Sequence, residues 1–489
     1  MSYHCISADE VKATIEKAEK ALNDCFDMLM DFRYGRNGLG NAILKFQPLL
    51  AECLFDLMRF YQKLQREKDT LISLKSSYDK PTFSAIMKTN AKYSKTISTA
   101  IEIGKDMGDA FAWFFYRDNR KELEKHFEHE PTGLFVGGIG GQGELEFVKN
   151  SSNIDGLYVI YHSITTMLRI GDFSLYDFDH GIVGVGELKT KLIDDTLRVT
   201  ATITSKADIR LPKLPKEQKG KFEDRIKAMK KDFPSIERQL GTHEDLLHVK
   251  ESDKHSDLYS SYEYEMLDGL TPKSPLAVNS DCSLMIAAAW SKYETLFDVL
   301  IESEDCTEFP EEDFQYKAKS LMQPENPHNM AFIGELNTTI SLLGIPVLWW
   351  EIDEKICRDI YFRKVKITTI FNPAKLLRYF IDDGFSVKSA GTLKSIEIHK
   401  DIDNHRIGIG HFESICYLIT NSFMKTRDVY AFSKQVTDAM ENGEFQPGSR
   451  VDMHIRLNNF GTPKADTTLN AEKCRKDENN GQTQNADSK

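Results

Sequence analysis

GDFSLYDFDHGIVGVGELKTK, Gly171 to Lys191, holds two strand-like runs, DFSLYDF and IVGVGELKT, divided by Asp179-His180-Gly181. Alternation on either side of such a turn signals a β-hairpin. Glu187 and Lys189 stand two residues apart on the second strand, so their side chains leave the same face. Asp172 lies on the partner strand. With Asp179-His180 as a two-residue loop, Asp172 falls opposite Glu187. With His180-Gly181 it falls opposite Lys189, still on that face, and a three-residue loop Asp179–Gly181 needs a bulge to restore the alignment.

Two carboxylates gathered on one patch of sheet repel each other unless a cation lies between them, the condition that favours Mg2+ or Mn2+. A hard divalent ion held by Asp172, Glu187 and the backbone carbonyl of Leu188 would polarise a phosphodiester. Lys189 would orient the attacking water or stabilise charge growing on the phosphate oxygens. An exposed ribbon with solvated Glu187 and Lys189 is the bland alternative. The apolar, glycine-rich IVGVGEL suits a buried central strand better than an edge.

This arrangement resembles the PD-(D/E)xK nuclease superfamily, whose core is a helix, a hairpin bearing Asp and Glu-x-Lys, a second helix and a further strand. The resemblance covers about Gly140–Trp290. It implies an α/β fold: a mixed-sheet, restriction-endonuclease-like core, with a helical N-terminal region and an α+β C-terminal region around it. Within GELEF it implies an auxiliary metal ligand at Glu144 or Glu146, and on the later helix a glutamine at Gln239. SLMIAAAW supplies the further strand. Glycine rather than proline precedes the Asp here. The implied activity is Mg2+-dependent endonucleolytic cleavage of DNA, with restriction or antiphage defence as the implied setting.

Outward from the hairpin, Lys206–Lys231 carries ten Lys and Arg against four Asp and Glu. In a chain of net charge -12 it is the local patch where a phosphate backbone could dock. Only Phe222 interrupts it, so contact with a duplex backbone is expected rather than base stacking. Upstream, Gly138–Gly143 satisfies G-x-G-x-x-G, but the strand before it is short and Asp155 comes too soon for a dinucleotide site. These glycines read as a flexible entry to the core or a loop near the metal. A helix-like run is expected from about Gly156 to Arg169, ending in Thr165, Thr166 and Arg169, with His162 on it. His126, His129 and His162 are expected to be structural or solvated.

The first 130 residues read as a helical bundle or oligomerisation region. Ser7 and Glu10 form a capping-box signature before Val11, Ile15, Ala18 and Leu22 at helical spacing. A second run carries Ile43 to Leu64, and a third spans about Phe83–Phe127 with weak points at Gly104 and Gly108. The nuclease-like core is expected over 131–300 and an accessory α+β domain over 301–460. That domain would have strands at GIPVLWWEI and YFRKVKITTIF and helices at Asn329–Leu342, Pro373–Ile381 and His411–Met424. Residues 461–489 read as a disordered tail. Eight scattered cysteines without a C-x-x-C pair, and no long apolar run, point to a cytoplasmic protein without zinc, disulfides or a membrane span. A homo-oligomer through the helical region is the expected assembly. A non-catalytic nucleic-acid-binding or scaffold protein on a nuclease-like fold is the alternative.

Overall fold

The computed structural model describes residues 6–34, 36, 39–117, 120–129, 138–154, 156–177, 180–193, 196–205, 270–279, 282–302, 311–322, 331–336, 346–349, 353–388, 396–402, 405–410, 412–422 and 426–442. Gln239, the basic stretch Lys206–Lys231, His411 and the 461–489 tail lie outside them.

Three long helices lead the chain: α1 (Ala8–Tyr34), α2 (Leu39–Ser73) and α3 (Lys80–Tyr116). The capping box forms as read, with the Ser7 amide donating to Glu10 Oε2 at 3.1 Å and the Glu10 amide to Ser7 Oγ at 3.2 Å. α3 starts at Asp79, whose carboxylate accepts the Thr82 amide at 2.9 Å. Gly104 and Gly108 are not weak points in it. They are contact points: a Cβ on Gly104 would meet Leu54 at 2.8 Å, and one on Gly108 would meet the Ile164 carbonyl oxygen at 1.8 Å. α4 (Arg120–Phe127) and α5 (Ile139–Asn150) follow.

The hairpin belongs to a five-stranded antiparallel meander, β1 (Asn153–Ile154), β2 (Leu157–Tyr161), β3 (Phe173–Asp177), β4 (Gly181–Ile193) and β5 (Thr196–Ser205), in that spatial order. The expected helix at 156–169 is therefore corrected. Leu157–Tyr161 is a wholly buried strand, and residues 162–172 form an irregular connection. LYVIY is apolar throughout, so it shows no period, and its aromatic and β-branched residues favour a buried strand.

SLMIAAAW does form a strand, β7 (Leu284–Trp290), but not in the hairpin's sheet. It lies in a second sheet, ordered β6 (Leu276–Val278), β7, β9 (Val365–Phe371), β8 (Phe332–Glu335). A third holds β10 (Ser386–Lys388), β11 (Glu397–Ile402) and β12 (His405–Ile409). Every described pairing is antiparallel where a mixed sheet was expected. The expected helix at Asn329–Leu342 gives way to β8, and in GIPVLWWEI the described part is a single turn, Val347–Trp349. Helices at Pro373–Asp382 and Phe412–Ser422 fall where they were read. The chain thus combines helices with β-sheets, as its texture indicates.

One contiguous apolar core runs from Ile6 to Val429 and absorbs the inward stripes of α1–α3. Trp349 is its junction. Its indole Nε1 donates to Ala110 O at 2.8 Å, and its ring stacks on Phe114 at 5.5 Å between centroids. Removing so large a buried ring leaves an unfilled cavity and an unpaired carbonyl. Trp349→Ala should therefore lower unfolding free energy by about 3–5 kcal/mol, read as a drop in urea midpoint at constant slope. Among the described residues no helix is long and apolar enough to cross a membrane.

Candidate active site

Between β3 and β4, Phe173 pairs with Gly186, Ser174 with Val185 and Leu175 with Gly184. Beyond an irregularity at Leu175/Tyr176, Tyr176 pairs with Ile182 and Asp177 with Gly181. The irregularity shifts the register, and the Phe173–Gly186 pairing continued by one step brings Asp172 level with Glu187.

At Asp172 the backbone ladder gives way to a side chain. The Asp172 amide donates to Gly186 O at 2.8 Å and its carbonyl accepts the His162 amide at 2.9 Å, while Oδ2 accepts the Leu188 amide at 2.5 Å. The carboxylate takes a strand N–H that a neighbouring carbonyl would otherwise hold. Gly171 makes this possible. Its φ is 70°, and a Cβ there would lie 2.7 Å from Gly186 O, so proline or any β-carbon is excluded from the position before the Asp.

Three carboxyls share this end of the sheet, and all are held above their ordinary range. Burial raises Asp172, against the Leu188 hydrogen bond. Burial also raises Glu187; Lys189 opposes the shift and Asp172 adds to it. Glu144, on α5, is pushed up to about 7 by burial, with Asp172 adding to the shift and Lys105 opposing it. Glu187 Oε2 is buried without a hydrogen-bond partner. An orphaned carboxylate oxygen among mutually repelling acids beside a lysine fits a hard cation. Among the described residues no group of three or more His, Cys, Asp or Glu is arranged to enclose an ion. A hard cation here would have Asp172 and Glu187 as its carboxyls, with water filling the other positions, as Mg2+ tolerates. Glu146 is placed elsewhere: it is exposed, with Oε2 on Asn150, two residues from Glu144 and so on the far side of α5.

Sequence reading missed what holds Asp172 in place. Residues 163–170 are clasped from α3 and α4. Lys105 Nζ donates to Ser163 O and, at 3.1 Å, to Thr165 O. Asp109 accepts the amides of Thr166 at 2.7 Å and Met167 at 2.9 Å, and the Thr166 hydroxyl. His126 Nδ1 accepts the amides of Arg169 at 2.8 Å and Ile170 at 3.1 Å, so its proton sits on Nε2, 3.3 Å from the Tyr116 hydroxyl. From there a one-way relay is required by the end groups. Tyr116 donates to Ser174 Oγ at 2.5 Å and Ser174 to His162 Nε2 at 2.6 Å. His162 Nδ1 then donates to Gly171 O at 3.1 Å. Burial holds both histidines neutral, His162 at about 4. The expectation that these histidines are structural describes His126 and His162, which orient the residue before Asp172. Arg169 directs its guanidinium to His129 O at 2.8 Å.

Burial pushes Asp109 up to about 7, despite its accepted hydrogen bonds. Its folded pKa thus exceeds the unfolded value of about 3.9, so the stability it contributes is full below that value and is lost as pH rises to about 7. Asp109→Asn removes this titration while keeping the two amide contacts. The stability of the variant relative to the native chain should therefore climb with pH between about 4 and 7, by up to about 1.4 kcal/mol per unit, then level off. Parallel urea titrations read the difference; a gap independent of pH would contradict it.

No protein-family model, curated protein or solved structure matches the chain.

Proposed function

We propose that this chain is a metal-dependent endonuclease that hydrolyses phosphodiester bonds of double-stranded DNA, built on a PD-(D/E)xK-like, restriction-endonuclease-like core of α5 and the five-stranded sheet. The observation that carries the reading is the buried, unpartnered Oε2 of Glu187, with Lys189 on the same strand and Asp172 just before β3 both acting on its charge. Asp172 and Glu187 would hold one Mg2+ or Mn2+, with Glu144 behind them as a reserve carboxyl. When bound, such an ion supplies Lewis-acid charge to the phosphodiester oxygens. The Lys189 ammonium, attached to the same strand as Glu187, would hold the attacking water or meet charge on the phosphate. The Asp172 carboxylate is oriented before any ligand arrives, because the Leu188 amide fixes Oδ2 and the His162 and Gly186 bonds fix its backbone. Restriction or antiphage defence in the cytoplasm is the setting this chemistry would serve.

Supercoiled plasmid incubated with the purified chain tests the reading. Nicked and linear products are expected in Mg2+ and not in EDTA, and Glu187→Gln should abolish them. The open ligand set favours a second reading, a non-catalytic nucleic-acid-binding or scaffold protein on the same fold. No product from DNA or RNA in Mg2+ or Mn2+, with the variant equally inert, would select it.

A further inference from the structure

Beyond Gly186, β4 leaves β3 behind. Residues Glu187–Ile193 pair only with β5, as a ribbon roughly 20 Å long. Its register places Glu187 opposite Thr202, Lys189 opposite Thr200, Lys191 opposite Arg198 and Ile193 opposite Thr196. Opposed residues of an antiparallel pair share a face, and the face alternates along each strand. One face of the ribbon therefore carries Lys189, Lys191, Arg198, Thr196, Thr200 and Thr202, with the exposed Ile193 at its far end. Glu187 is the only acid on it among the described residues. The other face carries Leu188, Thr190, Leu192, Leu197, Val199 and Ala201, and α5 packs against it, with Gly143 directly under Thr190.

Lys191 and Arg198 are exposed, and neither forms an ion pair with a described residue. Lys189 and Lys191 stand two residues apart, roughly 7 Å along β4, and Arg198 sits across the ribbon from Lys191, so three cations lie close to the candidate active site on one face. Lysine, arginine and threonine are the side chains that contact phosphate oxygens.

Resting on the nuclease reading, we infer that this face of the β4–β5 ribbon is the track along which a DNA duplex lays its phosphate backbone as it enters the site. Lys191 and Arg198 are its outer phosphate contacts. This assigns substrate binding to folded residues adjoining the site, independently of the basic stretch 206–231.

The test separates binding from cleavage. Fluorescence anisotropy of a labelled duplex of about 30 base pairs, titrated with the full chain in EDTA over a range of salt, compares the native chain with Lys191→Gln/Arg198→Gln. A charge-matched control, Lys317→Gln/Lys319→Gln, lies exposed on the helix Glu311–Met322, which packs against β7 of the second sheet. The ribbon variant should bind about 10–100-fold more weakly near 0.15 M salt, and its slope of log affinity against log salt should fall by about two, with the control unchanged. Equal affinity and slope in the ribbon variant and the native chain would overturn the track. So would absence of duplex binding by the native chain. Plasmid cleavage measured alongside reports on the nuclease reading separately: cleavage that persists with an unaltered slope removes the track alone, and duplex binding without cleavage removes the enzyme alone.

Discussion

Lys189→Ala is expected to lower the rate of Mg2+-dependent plasmid nicking by about 10²–10³-fold, the size of effect seen when one charge-stabilising donor is removed from a transition state. Two consequences add. The ammonium that would meet charge on the phosphate is gone, and so is the opposition it offers to protonation of Glu187. Because Lys189 is only half-buried on the ribbon, unfolding free energy should change by no more than about 0.5 kcal/mol. Lys317→Ala, on the exposed face of a helix that packs against the second sheet, should retain full activity. A Lys189→Ala protein that nicks at the native rate would remove the lysine from the chemistry.

Gly108→Ala is expected to have a large effect on folding, although it adds one methyl group. The new Cβ would sit 1.8 Å from Ile164 O and 2.8 Å from its carbonyl carbon, both backbone atoms with no rotamer to yield. α3 would have to withdraw from the 163–170 connection, taking Lys105 and Asp109 off the groups they hold. A loss of about 3 kcal/mol or more in urea unfolding is expected, with cleavage falling in parallel, because the same connection positions Asp172. Gly140→Ala is the matched control. Nothing lies within 4 Å of its Cβ, so it should leave stability unchanged or raise it by up to about 1 kcal/mol.

The contrast between the hairpin and its supports explains what was legible in the sequence. The juxtaposition of Asp172 with Glu187 follows from period-two alternation and a turn signal, both local. The loop alone leaves the register open between Glu187 and Lys189, and the irregularity at Leu175/Tyr176 sets it. Glu187 and Lys189 share a face whatever the register. The clasp on residues 163–170 was invisible, since Lys105 and Asp109 lie some 57 to 60 positions upstream and neither has a distinguishing neighbour. A lysine on a helix reads as a surface residue until a tertiary contact buries it. Likewise, LYVIY reads as part of a helix because a strand buried on both faces has no alternation to display. The separation of SLMIAAAW into another sheet depends on pairing with β9, some 80 residues later, which no local pattern encodes.

Anomalous diffraction from Mn2+-soaked crystals tests the metal site at Asp172 and Glu187 most directly. One peak should appear at ligand distance from Asp172 Oδ1 and Glu187 Oε2, about 2.0–2.1 Å for an ion the size of Mg2+, with Lys189 beside it. Crystals that take up Mn2+ elsewhere and leave these two carboxylates without a peak would contradict it.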